Sequence, residues 1–187
     1  MQKRQQVIET AYRLFKRGGF HATGIDRIIA EAGVAKMTMY RHFPSKDELI
    51  VAVLEWREQR FERQLDGLVA SAATLDRKIA TILDWHERWF DGADFHGCLF
   101  QHALAEFESR DHPVHRAAAR QKLGLKRRLR GILAASMPGD RGEAAATALF
   151  MLIEGATLLA QMGQGREAIR SARASATAVL AAQAGYP

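Results

Sequence analysis

Apolar residues recur at intervals of three and four along this chain, and no stretch alternates apolar with polar residues. That period belongs to an α-helix with one buried face, so the pattern predicts an all-α protein of about nine helices. Val7, Ile8, Ala11, Leu14 and Phe15 mark a first helix, stopped at Gly18 and Gly19. Thr23 stands as the expected N-cap of a short second helix carrying Ile25, Ile28, Ile29 and Ala32, and Gly33 ends it. A third helix covers 36–43 and is closed by Pro44 and Ser45. Ser45 with Glu48 forms the expected capping box of a long fourth helix. Later helices are predicted over about 75–91, 98–107, 113–135, 141–162 and 166–184, the last two separated at 163–165.

Charge is unevenly spread. The net charge is +6, yet residues 1–47 hold nine Lys or Arg against four acids, so nearly all the excess lies in the first quarter. This favours a polyanion partner there, and charge alone leaves nucleic acid and anionic membrane both open. The apolar run near 144–160 is interrupted by Thr147, Glu154, Gly155 and Thr157, so no transmembrane helix is expected. The N-terminus has no compact apolar core of a signal peptide, and the single cysteine, Cys98, rules out an intramolecular disulfide. A cytoplasmic chain is the expectation.

Residues 23–43 hold the most informative pattern. Two short helices joined by a Gly-Val turn, the second basic and aromatic, describe a helix-turn-helix. Gly33 supplies the tight turn, while Ile28, Val34 and Phe43, with Ile29, would lock the two helices against the first. The alternative is an ordinary helical hairpin with a solvated basic face.

The string TGIDRIIAEAGV (23–34) followed by AKMTMYRHFPSKDEL (35–49) resembles the DNA-binding region of TetR-type transcriptional regulators. Residues 97–114 are also similar to a stretch of one branch of that family's ligand-binding domains. The resemblance implies a three-helix DNA-binding domain at 1–46 and a ligand-binding and dimerisation domain at 47–187. It implies a ligand-released repressor that reads a palindromic operator as a homodimer, with a small-molecule effector, no cofactor and no membrane partner. Lys36 would reach guanine, and Met37 a thymine methyl. Thr23, Thr38, Tyr40 and His42 would bond phosphates, with Arg41 and Lys46 adding charge. Tyr40 as partial core and His42 as a cap are the plain alternatives. Two departures from the family pattern stand out. Ala35 occupies a position that often holds a capping serine, and Ile29 one that is usually alanine.

The helix at 141–162 is apolar on nearly every side, as a core helix or a dimer interface would be. The resemblance implies a four-helix interface there, with Gly155, Ala156, Leu159, Ala172 and Ala176 in it. It also implies a ligand cavity, for which Phe61, His86, Trp89, Gln101, Phe107, Met151 and Glu154 are the candidates. Glu154, a carboxylate in an apolar run, either meets ligand or pairs with a cation. His96, Cys98, His102, His112 and His115 fall within twenty residues, but without a second cysteine a metal site is not expected. The cations of 116–130 read as a solvated face. No phosphate loop, HExxH, GxSxG or nucleophile–base spacing is present, so no enzyme is expected.

Overall fold

The structure is a computed structural model and describes residues 2–184, with side chains described through Ala182. Among the described residues it contains nine α-helices and no strand. These are α1 (Gln2–Gly18), α2 (Ile25–Ala32), α3 (Lys36–His42), α4 (Lys46–Ala70), α5 (Leu75–Phe90), α6 (Leu99–Glu106), α7 (Pro113–Leu133), α8 (Gly139–Leu159) and α9 (Gly165–Ala184). The predicted break at 163–165 is not a loop. One π-helical turn, Ala160–Gln164, joins α8 to α9, and Gly163 takes the kink at φ +85°.

The chain divides into two compact units, Met1–Phe61 with Cys98–Gln121, and Glu62–Gly97 with Lys122–Pro187. In the first unit the buried face of α1 (Val7, Ile8, Ala11, Phe15) belongs to a core that includes Ile28, Met39, Phe43 and Leu49. Each of these side chains is at most 2% exposed, and burying any of them but Ala11 contributes roughly 1.5–3 kcal/mol. The predicted trio Ile28, Val34 and Phe43 is buried as expected, together with Met39.

Capping at α2 differs from expectation. Its N-cap is Gly24, with no side-chain bond, because the Thr23 hydroxyl turns back to donate to the Gly19 carbonyl at 2.7 Å. Ala35 likewise gives α3 no side-chain cap, whereas Ser45 Oγ accepts from the Glu48 amide at 3.1 Å at the start of α4.

In the second unit, alanines let helices approach closely: Ala145, Ala146, Ala168, Ala172 and Ala176 are at most 3% exposed. His86 lies among Trp85, Trp89 and Phe90 on α5 with ring centroids 4.9–6.1 Å away. Several cations of α7 are not simply solvated. Lys122 holds Glu154 at 2.7 Å, Lys126 holds Glu143 at 2.7 Å, and Arg128 reaches Glu62 at 3.3 Å and also Asp66. In the first unit Arg120 meets Glu55 at 3.2 Å. Acids on α4 and α8 thus receive these cations, each exposed pair contributing at most about 1 kcal/mol.

By length and composition alone the run Gly139–Ala182 passes as a membrane span, with an 18-residue window of mean hydropathy 1.5. The core helix of a folded domain passes the same test, and 39% of that window is buried.

Candidate nucleic-acid interface

The helix-turn-helix is built from its turn outward. Gly33 sits in the left-handed region (φ 59°, ψ 39°), and its amide and that of Val34 bond back to the Ala30 and Ile29 carbonyls. A residue with a Cβ resists this conformation, so glycine here sets how α3 leaves α2. Met39, fully buried, and Phe43 at 2% pin α3 from beneath. Arg4 on α1 places its guanidinium 5.1 Å from the Phe43 ring centroid.

What α3 turns outward is the part available to a partner. Met37 is 82% exposed, and Lys36, Tyr40 and Arg41 are also exposed. Thr38, His42 and Lys46 are half-buried. Lys36 Nζ lies 3.2 Å from Asp26 Oδ1, in a pair whose side chains are 64% and 79% exposed. A pair so hydrated is held weakly, and its lysine can exchange one anion for another. Lys46 Nζ donates to the His21 carbonyl at 3.3 Å. Thr23 is different from the rest: it is 2% exposed and its hydroxyl is already donated.

The corner between α1 and α2 is tied down by a residue the sequence reading missed. Glu106, at the end of α6, accepts the amides of Phe20 and His21 at 2.7–2.9 Å, and its carbonyl lies 2.8 Å from His21 Nε2. Phe107 then packs edge-on to Phe20 and stacks on His112, which lies 3.2 Å from Asp47. Because 86 residues separate Phe20 from Glu106, no local spacing signals the bond.

The candidate pocket residues fall in both units. Phe61, Gln101 and Phe107 belong to the first, and Phe107 is engaged with the α1–α2 corner. His86, Trp89, Met151 and Glu154 belong to the second. Burial pushes the His86 imidazole down to about 4, against a raising effect of its bond to the Ile82 carbonyl and a further lowering by Lys122. Both Glu154 oxygens meet Lys122 Nζ, at 2.7 and 2.8 Å, so the acid is paired with a lysine of α7. Met151 stands 61% exposed on α8. A cleft of about 770 Å³ in the second unit, lined by Leu75, Asp76, Leu83, Met137, Arg173 and Leu180 among others, includes none of the candidates. Among the described residues no three His, Cys, Asp or Glu side chains converge on a metal-sized site.

The expected interface residues also divide. Ala156, Ala172 and Ala176 are 3–5% exposed within one chain, so their methyls pack largely within it and offer little surface to a second copy. Gly155 and Leu159 do face outward, with Met151, Leu158 and Met162 at 55–64% exposure beside them in sequence.

Comparison with known proteins agrees with this geometry. Residues 7–53 match the model for bacterial regulatory proteins of the tetR family. The crystal structure of a TetR-family transcriptional regulator from Streptomyces coelicolor superposes with a TM-score of 0.91 and 31% identity, over 97% of this chain and 96% of that one. The reduced form of NemR from Escherichia coli shares the fold, with a TM-score of 0.85 and 23% identity over 94% of this chain and 95% of that one. The transcriptional activator FasR of Mycolicibacterium smegmatis is 41% identical over 69 residues, which cover 37% of this chain and 28% of FasR. The Bacillus subtilis fatty acid metabolism regulator is 25% identical over 84 residues, 45% of this chain and 43% of that protein. The chain therefore spans less than half the length of these curated relatives, whereas it covers the solved structures almost completely. The chain belongs to the TetR family of transcriptional regulators and is a helix-turn-helix DNA-binding protein, not an enzyme.

Proposed function

We propose that the chain is a repressor that binds a palindromic operator as a homodimer and leaves it when a small molecule binds. Residues 1–46 form the DNA-binding part, and residues 47–187 carry the effector site and the dimer surface. The observation that carries the reading is the outer face of α3. Lys36, Met37, Tyr40 and Arg41 are exposed there, over a base fixed by Met39 and Phe43. Lys36 and Met37 read base edges; Thr38, Tyr40, His42 and Lys46 position the backbone, Arg41 adds charge, and Thr23 supports the corner from within.

Dimerisation is supported by the apolar, outward side chains of Met151, Leu158, Leu159 and Met162 around Gly155. An exposed apolar stripe on a helix calls for a cover, and a two-fold pair also matches a two-half-site operator. Repression needs only occupancy of the DNA, so it asks nothing more of this chain than the α3 face. The protein acts where the DNA is, in the cytoplasm.

Selection from a random duplex library, followed by binding to the recovered sequence at fixed salt, tests the reading. An enriched inverted repeat, bound by two chains, is expected. Recovery of no preferred sequence, or binding of a single half-site by a lone chain, overturns it.

A further inference from the structure

We propose that Gln121 is the polar recognition residue of the effector site, and that the effector is an uncharged, largely apolar molecule bearing a hydroxyl or N–H donor. The inference rests on the effector-release reading above and adds its chemistry. Gln121, on α7, is 5% exposed, and its Oε1 is buried with no hydrogen-bond partner. Buried polar atoms in folded proteins are nearly always paired. The other buried polar residues here follow that rule. Thr10 accepts from Arg13, Thr23 bonds the Gly19 carbonyl, His86 the Ile82 carbonyl, Thr157 the Ile153 carbonyl, and Lys122 is held by Glu154.

The helix around Gln121 explains why its own element leaves it unmet. A helical side chain leans over the turn before it, and that turn carries Ala117 and Ala118, which are 4% and 0% exposed. The turn after it carries Gly124 and Leu125. None of the four has a polar side-chain atom that could meet the carboxamide oxygen. A position that served packing alone would hold leucine or methionine and leave no acceptor unmet. The carboxamide oxygen accepts, so the missing partner must donate. A charged group among these methyls would lose its hydration without a counter-charge, which restricts the partner to a neutral donor on an apolar body.

The test uses the full chain and matched probes that differ by one donor. These are 1-naphthol against 1-methoxynaphthalene, indole against 1-methylindole, and 1-decanol against its methyl ether. In at least one pair the donor should bind ~10-fold or more tightly than its capped mate, the size expected for one buried neutral hydrogen bond. Gln121→Met should bring that ratio to near one with the melting temperature equal or higher, and Gln121→Leu should repeat the result. The proposal is overturned if no pair discriminates or if the ratio survives in both variants. It is also overturned if both variants melt several degrees lower, which would mean the amide is already satisfied inside the fold. These ratios are read without DNA, so failure of the parent chain to select an operator would sink the repressor reading alone.

Discussion

Glu106 at the end of α6 holds the amide of Phe20 in both carboxylate oxygens, at 2.9 Å each, and so ties α6 to the turn that launches the helix-turn-helix. Charge-assisted bonds to buried amides are among the stronger ones, and Phe20 is fully buried. Glu106→Ala should therefore destabilise the protein by about 1.5–3 kcal/mol, with Glu106→Gln falling between it and the parent. Denaturant melts of the three proteins provide the measurement, and equal midpoints would remove Glu106 from the corner's support.

Gly19 tests the same corner from the other side. It has φ +76°, and a Cβ added there would come within 2.9 Å of Glu106 Oε1. Gly19→Ala should cost about 1–2 kcal/mol from the left-handed backbone alone. Combining it with Glu106→Ala should give less than the sum of the two losses, because the second change removes the clash. Strict additivity would show that the strain is purely in the backbone.

The helix-turn-helix was legible in sequence because its evidence is local: a glycine turn, apolar residues at helical spacing, and a basic third helix. Ile28, Val34 and Phe43 are buried where periodicity puts them. The long helices were harder. Residues of α8 are apolar on every side, so periodicity could not separate Ala156, packed internally, from Met151, which faces out. Pairs such as Glu106 with Phe20 or Lys122 with Glu154 join distant parts of the chain, and no spacing rule reaches them. Gln121 was unreadable for a related reason: a lone glutamine in a basic helix looks like solvated surface until its burial is known.

At the proposed DNA face, Lys36 pairs with Asp26 at 3.2 Å and would exchange it for a base edge. Lys36→Ala should cost ~1–3 kcal/mol at one base pair and relax preference there, while Asp26→Ala should free the lysine and tighten binding. Operator-variant titrations at fixed salt distinguish the outcomes. Equal weakening on every variant would make Lys36 a phosphate clamp. Lys46→Ala, by contrast, should weaken all sequences alike and lower the salt slope by about 0.9.

The proposed dimer surface has a substitution that separates folding from association. A Cβ at Gly155 meets nothing within 4 Å in the single chain, so Gly155→Phe leaves its packing intact. Between two copies at close approach the same ring has no room. Sedimentation should show the dimer weakened by more than tenfold, about 1.4 kcal/mol, with helix content unchanged. A dimer of undiminished affinity would place the interface elsewhere.

His86 gives the second unit a pH dependence of known sign. Its imidazole is 4% exposed, sits among Trp85, Trp89 and Phe90, and faces the Lys122 ammonium in the electrostatics of the site. Burial lowers its pKa from 6.5 to about 4, so between those values the unfolded chain binds a proton that the folded chain refuses. Stability from the neutral imidazole is then whole above 6.5 and is lost as pH falls toward 4, by up to about 3 kcal/mol. Carboxylates titrate over part of the same range, so the comparison must be with a variant that keeps the packing. His86→Phe retains a flat ring among the same aromatics. The Ile82 carbonyl that Nδ1 bonds at 2.8 Å is also the acceptor of the helix's own amide four residues on, so it is not left bare. Melting temperatures from pH 7.5 down to 4.5 should fall more steeply in the parent than in His86→Phe. Parallel curves would mean that His86 stays as easily protonated inside the fold as outside it.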